Sequence, residues 1–389
     1  MSTLKVDGIR SNGDTSGNDA ITLADNNTCT ANITNRSNRN KIINGAMRFS
    51  ERGTTFSPTG TDQIYTLDRF QHVATGGVSW DATVTQSTDS PDEFKNSYKV
   101  TPDSTNTPSG GGNAVIRYKV EGQDIQDLAY GTSSAKSLTI SFYAKTASEN
   151  SGDQYTLCLF YFRSDGTGKT VTVAFTPTST WQRFSFTFAG DTDANYGIRN
   201  TEDMGMSIQW VLAAGPDDVK AAMSTWTVDG TYFRGVTGQD NFNDNTNNEF
   251  YLTGVQLELG STMTDFEHKL FTVDQAQCQR YYYVIAPPVA ESLIGDSLNY
   301  DTMDHMTMRF PVEMRVEPDF VVGNHSNAFR IYGSSGGRNV STLSVNTGVG
   351  STKAIMIECS GGTNGSQNFV RIYGASGGVY ATIAANAEL

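Results

Sequence analysis

The sequence predicts an all-β protein: an extended N-terminal segment, a central β-sandwich (jelly roll) and a small C-terminal β domain. Three observations carry that expectation. Short apolar–polar alternations recur between about residues 41 and 271, the period at which successive side chains fall on opposite faces of a sheet. Aromatic residues make up 11% of the chain, with 17 Tyr and 20 Phe, and such side chains pack well on a pleated, half-buried surface. Glycine is frequent, at 38 of 389 residues, as many short strands joined by turns require.

Residues 1–40 are polar and rich in Asn, Thr and Ser. Two extended pieces, residues 4–9 and 20–23, place Leu4, Val6, Ile21 and Leu23 in alternation. So small a pair cannot close a core alone; partner chains are the expected cover. Residues 41–271 form the expected sandwich. Leu138, Ile140, Phe142 and Ala144 share one face, as do Phe184, Phe186 and Phe188, and Met206, Ile208 and Trp210. Residues 155–162 are apolar on both faces, which predicts a central strand covered on both sides. Residues 272–284 read as a linking helix and hinge, with Thr272 as cap, Gln275 at the capping-box position and Asp274 at the positive end. Pro287-Pro288 bars any return to helix. Residues 285–389 form a C-terminal tip domain with an internal repeat: Arg330-Ile331-Tyr332-Gly333 recurs as Arg371-Ile372-Tyr373-Gly374. Each copy reads as a strand entering a glycine hairpin in one small sheet.

Charge narrows the partners. Lys and Arg number 28 against 41 acids, for a net charge of −13. With no basic cluster to release counterions, nucleic acid is excluded as an expected partner. No run of about 18 apolar residues is present, so no membrane insertion is expected. The first ten residues lack the apolar core of a signal peptide, which points to synthesis in a cytoplasm. Cys29, Cys158, Cys278 and Cys359 lie far apart and read as unbridged, partly buried thiols.

Several residue groups together resemble a known family. Asn44-Gly45-Ala46-Met47, Glu51-Arg52-Gly53, Tyr65 and Asp68-Arg69-Phe70 resemble the opening of a jelly-roll domain in phage tail-fibre proteins, with Phe70 where that family usually has Trp. Gln256-Leu257-Glu258-Leu259-Gly260, Phe266-Glu267-His268 and Cys278-Gln279-Arg280-Tyr281-Tyr282 resemble its closing strand and following helix. Ser2-Thr3-Leu4-Lys5-Val6-Asp7 is similar to the virion-attachment ends of short-tailed phage fibres. The resemblance implies a carbohydrate-binding-module-like sandwich and a virion protein made in the host cytoplasm. It also implies a homotrimer docked to other tail or capsid proteins through its N-terminal segment and attached to a host-surface glycan. A purely structural virion protein (a capsid fibre, decoration protein or tail spacer) is the alternative, and a glycan depolymerase the distant one.

No enzyme is expected. Gly-x-Ser-x-Gly occurs around Ser335 and Ser376, but no His follows either serine in the chain, and glycine hairpins explain both copies. His72, His268, His305 and His325 share no metal-binding spacing and read as structural. No cofactor is expected beyond a structural calcium ion, for which the oxygen-rich stretch 240–249 offers Asp240, Asn243 and Asp244. Paired catalytic carboxylates cannot be singled out. Aromatic side chains stack on sugars while polar edges meet hydroxyls. Trp226 and Tyr232, with Trp80 and Phe233, stand in loop-like stretches, whereas Trp181 and Trp210 stand in strands and read as core. At the tip, Arg330 with Tyr332 and Arg371 with Tyr373 share a strand face at i, i+2 and are candidate glycan contacts.

Overall fold

The computed structural model describes residues 8–9, 21–23, 29–31, 38–163, 167–228, 234–286, 293–300, 303–322, 329–333, 336–340, 342–345, 350–360, 367–372 and 382–389. The chain divides into two units, residues 1–39 and 40–389. In the first, strands β1 (Gly8–Ile9), β2 (Ile21–Leu23) and β3 (Cys29–Ala31) make an antiparallel meander, with Ile9 opposite Ile21 and Leu23 opposite Cys29. The first two fall inside the extended pieces marked in the sequence; β3 was not foreseen.

The second unit begins with the sandwich. Its first strands are β4 (Thr55–Phe56), β5 (Gln63–Tyr65), β6 (Phe70–Gly77), β7 (Ala82–Ser87), β8 (Ser97–Pro102) and β9 (Ser109–Glu121). Next come β10 (Leu138–Thr146), β11 (Tyr155–Phe162), β12 (Gly168–Phe175), β13 (Gln182–Phe188) and β14 (Met204–Ala214). Three short strands follow, β15 (Val219–Lys220), β16 (Thr227–Val228) and β17 (Gly235–Val236), before the long β18 (Phe250–Leu259). One sheet has six strands in the order β13-β10-β18-β8-β7-β4, and the facing one seven, β16-β12-β11-β14-β9-β6-β5. Neighbours such as β10 and β18 are antiparallel but remote in sequence, the crossover habit of jelly-roll sandwiches.

The faces that meet are those the alternation marked. Leu138, Ile140, Phe142 and Ala144 of β10 are buried against Leu157, Leu159, Ile208 and Trp210 of the other sheet. Phe142 lies at the centre, its ring 5.3 Å from Phe175 and 5.6 Å from both Phe184 and Trp210. Phe186 is only half-buried, because β13 is an edge strand with one flank uncovered. Two tryptophans depart from expectation. Trp80 stands in the loop between β6 and β7, as expected, but its side chain is buried in the core and stacks on His72 at 3.9 Å. Trp181 is half-buried just before the edge strand, and its indole N–H donates to Asp89 at 3.0 Å.

The helix α1 (Phe271–Gln279) starts one residue before the expected cap. Leu270 holds the N-cap position and no side chain caps it, so the capping-box role assigned to Thr272 and Gln275 does not hold. Asp274 does lie in the first turn, where its carboxylate accepts the Asn44 N–H at 3.1 Å. After it come β19 (Tyr282–Ala286), β20 (Leu293–Tyr300), β21 (Met303–Arg309), β22 (Asp319–Val322) and β23 (Phe329–Gly333). The chain continues with β24 (Gly336–Asn339), β25 (Leu343–Val345), β26 (Ala354–Ser360), β27 (Gln367–Ile372) and β28 (Ile383–Asn386). A three-stranded sheet, β19-β28-β22, and a seven-stranded one, β24-β23-β27-β20-β21-β26-β25, enclose a second core of Met306, Met314, Phe329, Ile331, Ile357 and Ile383. The internal repeat pairs with itself: β23 lies antiparallel to β27, with Arg330 opposite Arg371 and Phe329 opposite Ile372.

The joint between the two β regions, read from sequence as a hinge, is clamped. The buried Arg69 guanidinium ion-pairs with Glu388 and lies 3.4 Å from the centroid of the Tyr281 ring. Arg52 bridges Asp68 and Glu388 at 3.4 and 3.2 Å and stacks on Tyr282 at 3.7 Å. Arg280 and the Tyr281 hydroxyl both donate to Glu121. The Asn44 side chain ties Phe49 to Asp68, and Gly45 packs so close to the Val255 carbonyl that a β-carbon would collide with it. Removing one partner of the Arg69–Glu388 pair, both members of which are buried, leaves an uncompensated charge, which favours the closed joint. Several residues that carry the family resemblance, among them Asn44, Arg52, Asp68, Arg69, Arg280, Tyr281 and Tyr282, therefore build this buckle.

Candidate functional site

The outer face of the seven-stranded sheet carries the site. Strand β11 sends Tyr155, Leu157, Leu159 and Tyr161 into the core, so Thr156, Cys158, Phe160 and Phe162 point the other way. Register then aligns this face in rows across the sheet. Cys158 pairs with Gln209, Gln209 with Arg117, and Arg117 with Gln71. Two residues along, Phe160 pairs with Ser207 and Ser207 with Lys119. In the opposite direction Val211, Val115 and Val73 share a row, and with Cys158 they form a small buried apolar cluster. Among the described residues, the short β15-β17 pair covers one end of strand β11 here, and long polar side chains and a cavity the other.

That cavity measures about 230 Å³ and is lined by Arg117, Cys158, Phe160, Phe162, Thr170, Met204, Ser207, Gln209 and Arg234. A loop closes one end. Strands β15 and β17 pair in parallel, and Val236 donates its N–H to the Thr156 hydroxyl at 2.9 Å while that hydroxyl donates to Gln239 at 2.6 Å. This brings Arg234 to the rim. At the other end the Tyr65 hydroxyl, at 2.6 Å, and the Lys119 ammonium both donate to the Leu389 carbonyl.

The groove is cationic. Arg117 donates from Nε and Nη2 to the Gln71 side-chain oxygen at 2.9 and 2.7 Å, and from Nη2 to Gln63 at 3.2 Å. Burial pulls the Arg117 pKa below the usual guanidinium range, with Tyr65 opposing and the like charge of Arg234 adding to it. Burial likewise pushes Lys119 down to about 8, with Arg117 and Arg69 contributing. Gln209 is 4% exposed; its Nε2 donates to the Ser207 hydroxyl at 3.1 Å, and its Oε1 has no hydrogen-bond partner. An unanswered buried acceptor is costly unless a ligand supplies the donor.

The residues singled out from sequence lie elsewhere. Trp226 is half-buried and closes the end of the core: its indole N–H donates to the Ala189 carbonyl at 2.9 Å and its ring packs on Tyr161 and Tyr130 at 5.0 and 5.5 Å. Its ring is spent on packing. Tyr232, Phe233 and Tyr373 fall outside the described residues, as does the side chain of Arg371. Arg330 and Tyr332 are half-buried on β23, the guanidinium 5.8 Å from the Tyr332 ring centroid. Asp240 precedes the short turn Phe242–Asp244 that holds Asn243 and Asp244, and the loop itself uses the two carboxylates. Asp240 accepts the Gln154 N–H at 2.8 Å, Asp244 accepts from Asn248 at 2.9 Å, and Asn243 is fully buried. Among the described residues no three His, Cys, Asp or Glu side chains are placed to hold a metal ion. His268 packs against Phe266 and Phe94 at 4.9 and 5.3 Å, and Cys158, Cys278 and Cys359 are buried and unbridged.

The signal for the groove was nevertheless in the sequence. Phe160 and Phe162 alternate against the core residues of their own strand, and Arg117 interrupts the apolar run of β9. Strand β11 is covered on both sides, as expected, over Tyr155–Leu159; Phe160 and Phe162 at its far end are only half-buried and line the cavity.

No protein-family model matches the chain, and no curated protein does. Among solved structures the chain is similar to the enzymatically active domain of tailspike protein 4 of bacteriophage CBA120, at 10% identity and a TM-score of 0.29, over 57% of this chain and 21% of that one. It is also similar to the family 11 carbohydrate-binding module of the cellulase Lic26A-Cel5E of Clostridium thermocellum, at 13% identity and 0.28, over 55% and 98%. The CBM22-1 xylan-binding domain of Xyn10C from Paenibacillus barcinonensis follows, at 10% and 0.27, over 53% and 95%. The functional reading rests on the groove's own chemistry.

Proposed function

We propose that this protein is a non-enzymatic phage virion adhesin that binds a host-surface glycan across the outer face of its seven-stranded sheet. The observation that carries the reading is the cavity of about 230 Å³ with Phe160 and Phe162 on its wall and Gln209, Ser207, Thr170 and Arg117 around it. Aromatic faces take the C–H side of a sugar ring and convergent polar groups take its hydroxyls. No carboxylate or histidine is among the residues that line it, which favours binding over acid–base hydrolysis. The chain acts as a homotrimer, its N-terminal unit docking to tail or capsid proteins, so that three weak sites act together through avidity. The edge pairing of β1, β2 and β3, a sheet too small to stand alone, supports that assembly.

The test is a glycan array and host-cell adsorption with the full chain. Replacing both Phe160→Ala and Phe162→Ala should weaken binding by about tenfold or more, since stacking contributes about 1 kcal/mol per ring beyond area. Unchanged binding removes the groove from the account. Light scattering should give three chains per particle; a monomer at micromolar concentration would count against the trimer.

A further inference from the structure

We infer that the groove selects an acidic saccharide, one whose ring bears a carboxylate held between Arg117 and Arg234. The inference rests on the reading of this groove as a glycan site and narrows its ligand class. The chain carries a net charge of −13, yet the residues lining this cavity include two guanidiniums and no acid. That is the reverse of the average surface.

The two arginines are held differently, and both remain available. Three hydrogen bonds to Gln71 and Gln63 orient the Arg117 plane, but amide oxygens cancel no charge. Among the described residues no carboxylate lies within ion-pairing distance of Arg117. Arg234 stands at the rim with its Nη1 3.9 Å from Asp218, a loose contact for a guanidinium that prefers forked geometry. Asp218 is itself buried and takes the Asn113 amide at 3.0 Å. A carboxylate entering between the arginines would meet preorganised donors in a partly desolvated place, where charge-assisted bonds are about twice as strong as neutral ones.

Gln209 adds the opposite demand. Its buried Oε1 needs a donor, which a sugar hydroxyl supplies and a simple anion does not. Phe160 and Phe162 ask for an apolar ring face beside that hydroxyl. A neutral sugar answers the glutamine and the rings only. An inorganic anion answers the arginines only. A carboxylated sugar answers all of them, and the volume suits a single ring with its substituents.

The experiment uses the full chain and calorimetric titration with a hexuronate oligosaccharide, its carboxyl-reduced neutral counterpart and a sulfated neutral oligosaccharide. The hexuronate should bind about tenfold more tightly than the reduced form, the equivalent of about 1.4 kcal/mol, with the gap shrinking as salt rises. Arg117→Gln and Arg234→Gln should each lower hexuronate affinity toward that of the reduced form, and lower it by more than they lower the reduced form's own affinity. Arg234 is partly exposed, so its variant folds as the parent does, and circular dichroism checks the Arg117 variant. Equal binding of acidic and reduced forms, both lost on Phe160→Ala with Phe162→Ala, would overturn the acidic selectivity while leaving the glycan groove in place. Tighter binding of the sulfated probe would overturn the carboxylate assignment. Binding of none of the three, or binding indifferent to the phenylalanines, would overturn the groove reading as well.

Discussion

The two outer faces of the sandwich rest on one core and differ in how their charges are answered. On the six-stranded sheet, Lys99 pairs with Glu249 and Lys145 with Asp89. Asp89 also accepts the Trp181 indole N–H, and Arg183 donates to the Thr264 carbonyl. Tyr251 lies between the two lysines, 5.3 Å from one and 4.6 Å from the other. Each of these charges has a protein partner. On the seven-stranded sheet, Arg117 meets only amide oxygens and the buried Gln209 acceptor meets nothing. A buried group left unanswered calls for an explanation, and a ligand is one. The contrast supports placing the proposed glycan site on the seven-stranded face and not on the six-stranded one.

The largest effect tests the shared core. Phe142→Ala empties a fully buried site touched by Phe175, Phe184 and Trp210, and should cost about 3–5 kcal/mol, read as a lost denaturant midpoint. Phe186→Ala, on the edge strand, should cost about 1–2 kcal/mol, because only part of its surface is removed from water. Equal losses would mean that the edge is better covered than the structure shows.

A second test uses pH, because the two faces end in carboxylates of opposite behaviour. Asp68 in the buckle beyond the seven-stranded face is raised from 3.8 to about 7, by burial against the pull of Arg52 and with Glu388 adding to it. Its folded form holds a proton that the unfolded chain releases, so the stability it contributes is full below pH 3.8 and is lost as pH rises through about 7. Asp68→Asn should therefore raise the thermal midpoint by a few degrees at pH 8 and by little at pH 4. Burial works against Asp89, but hydrogen bonds from Lys145 and Trp181 hold it below the usual carboxylate range. Its contribution is present at neutral pH and is lost only in acid, so Asp89→Asn should act at pH 7 and fade as the pH falls below about 4. His72, buried and lowered to about 4, loses stability between its ordinary range and that value in every variant, so differences from the parent cancel it.

The smallest stability effect is the sharpest comparison. Gln209→Leu removes an unanswered acceptor and should change stability by less than about 1 kcal/mol while weakening glycan binding about tenfold. Lys145→Met removes one partner of a surface pair, should cost less than about 1 kcal/mol, and should leave binding unaltered. If Lys145→Met weakens binding and Gln209→Leu does not, the ligand belongs on the six-stranded face.

What the sequence determined by itself is local. Alternation at 138–144 and 184–188 named the core-facing side of each strand, and the repeat at Arg330 and Arg371 named two strands that prove to be neighbours in one sheet. The family-like groups around Asn44, Asp68 and Tyr281 marked residues that matter, and the structure spends them on a buckle. Trp226 was legible as an aromatic in a loop, but its packing partners, Tyr130 and Tyr161, were not. Only the tertiary structure decided the groove. Gln71, Arg117, Gln209 and Cys158 become one row because β6, β9, β14 and β11 lie side by side in an order that the chain does not follow. A period of two tells which residues share a face of one strand. It cannot tell which strands stand next to it or which face another layer covers, because those are settled by burial between segments far apart in the chain.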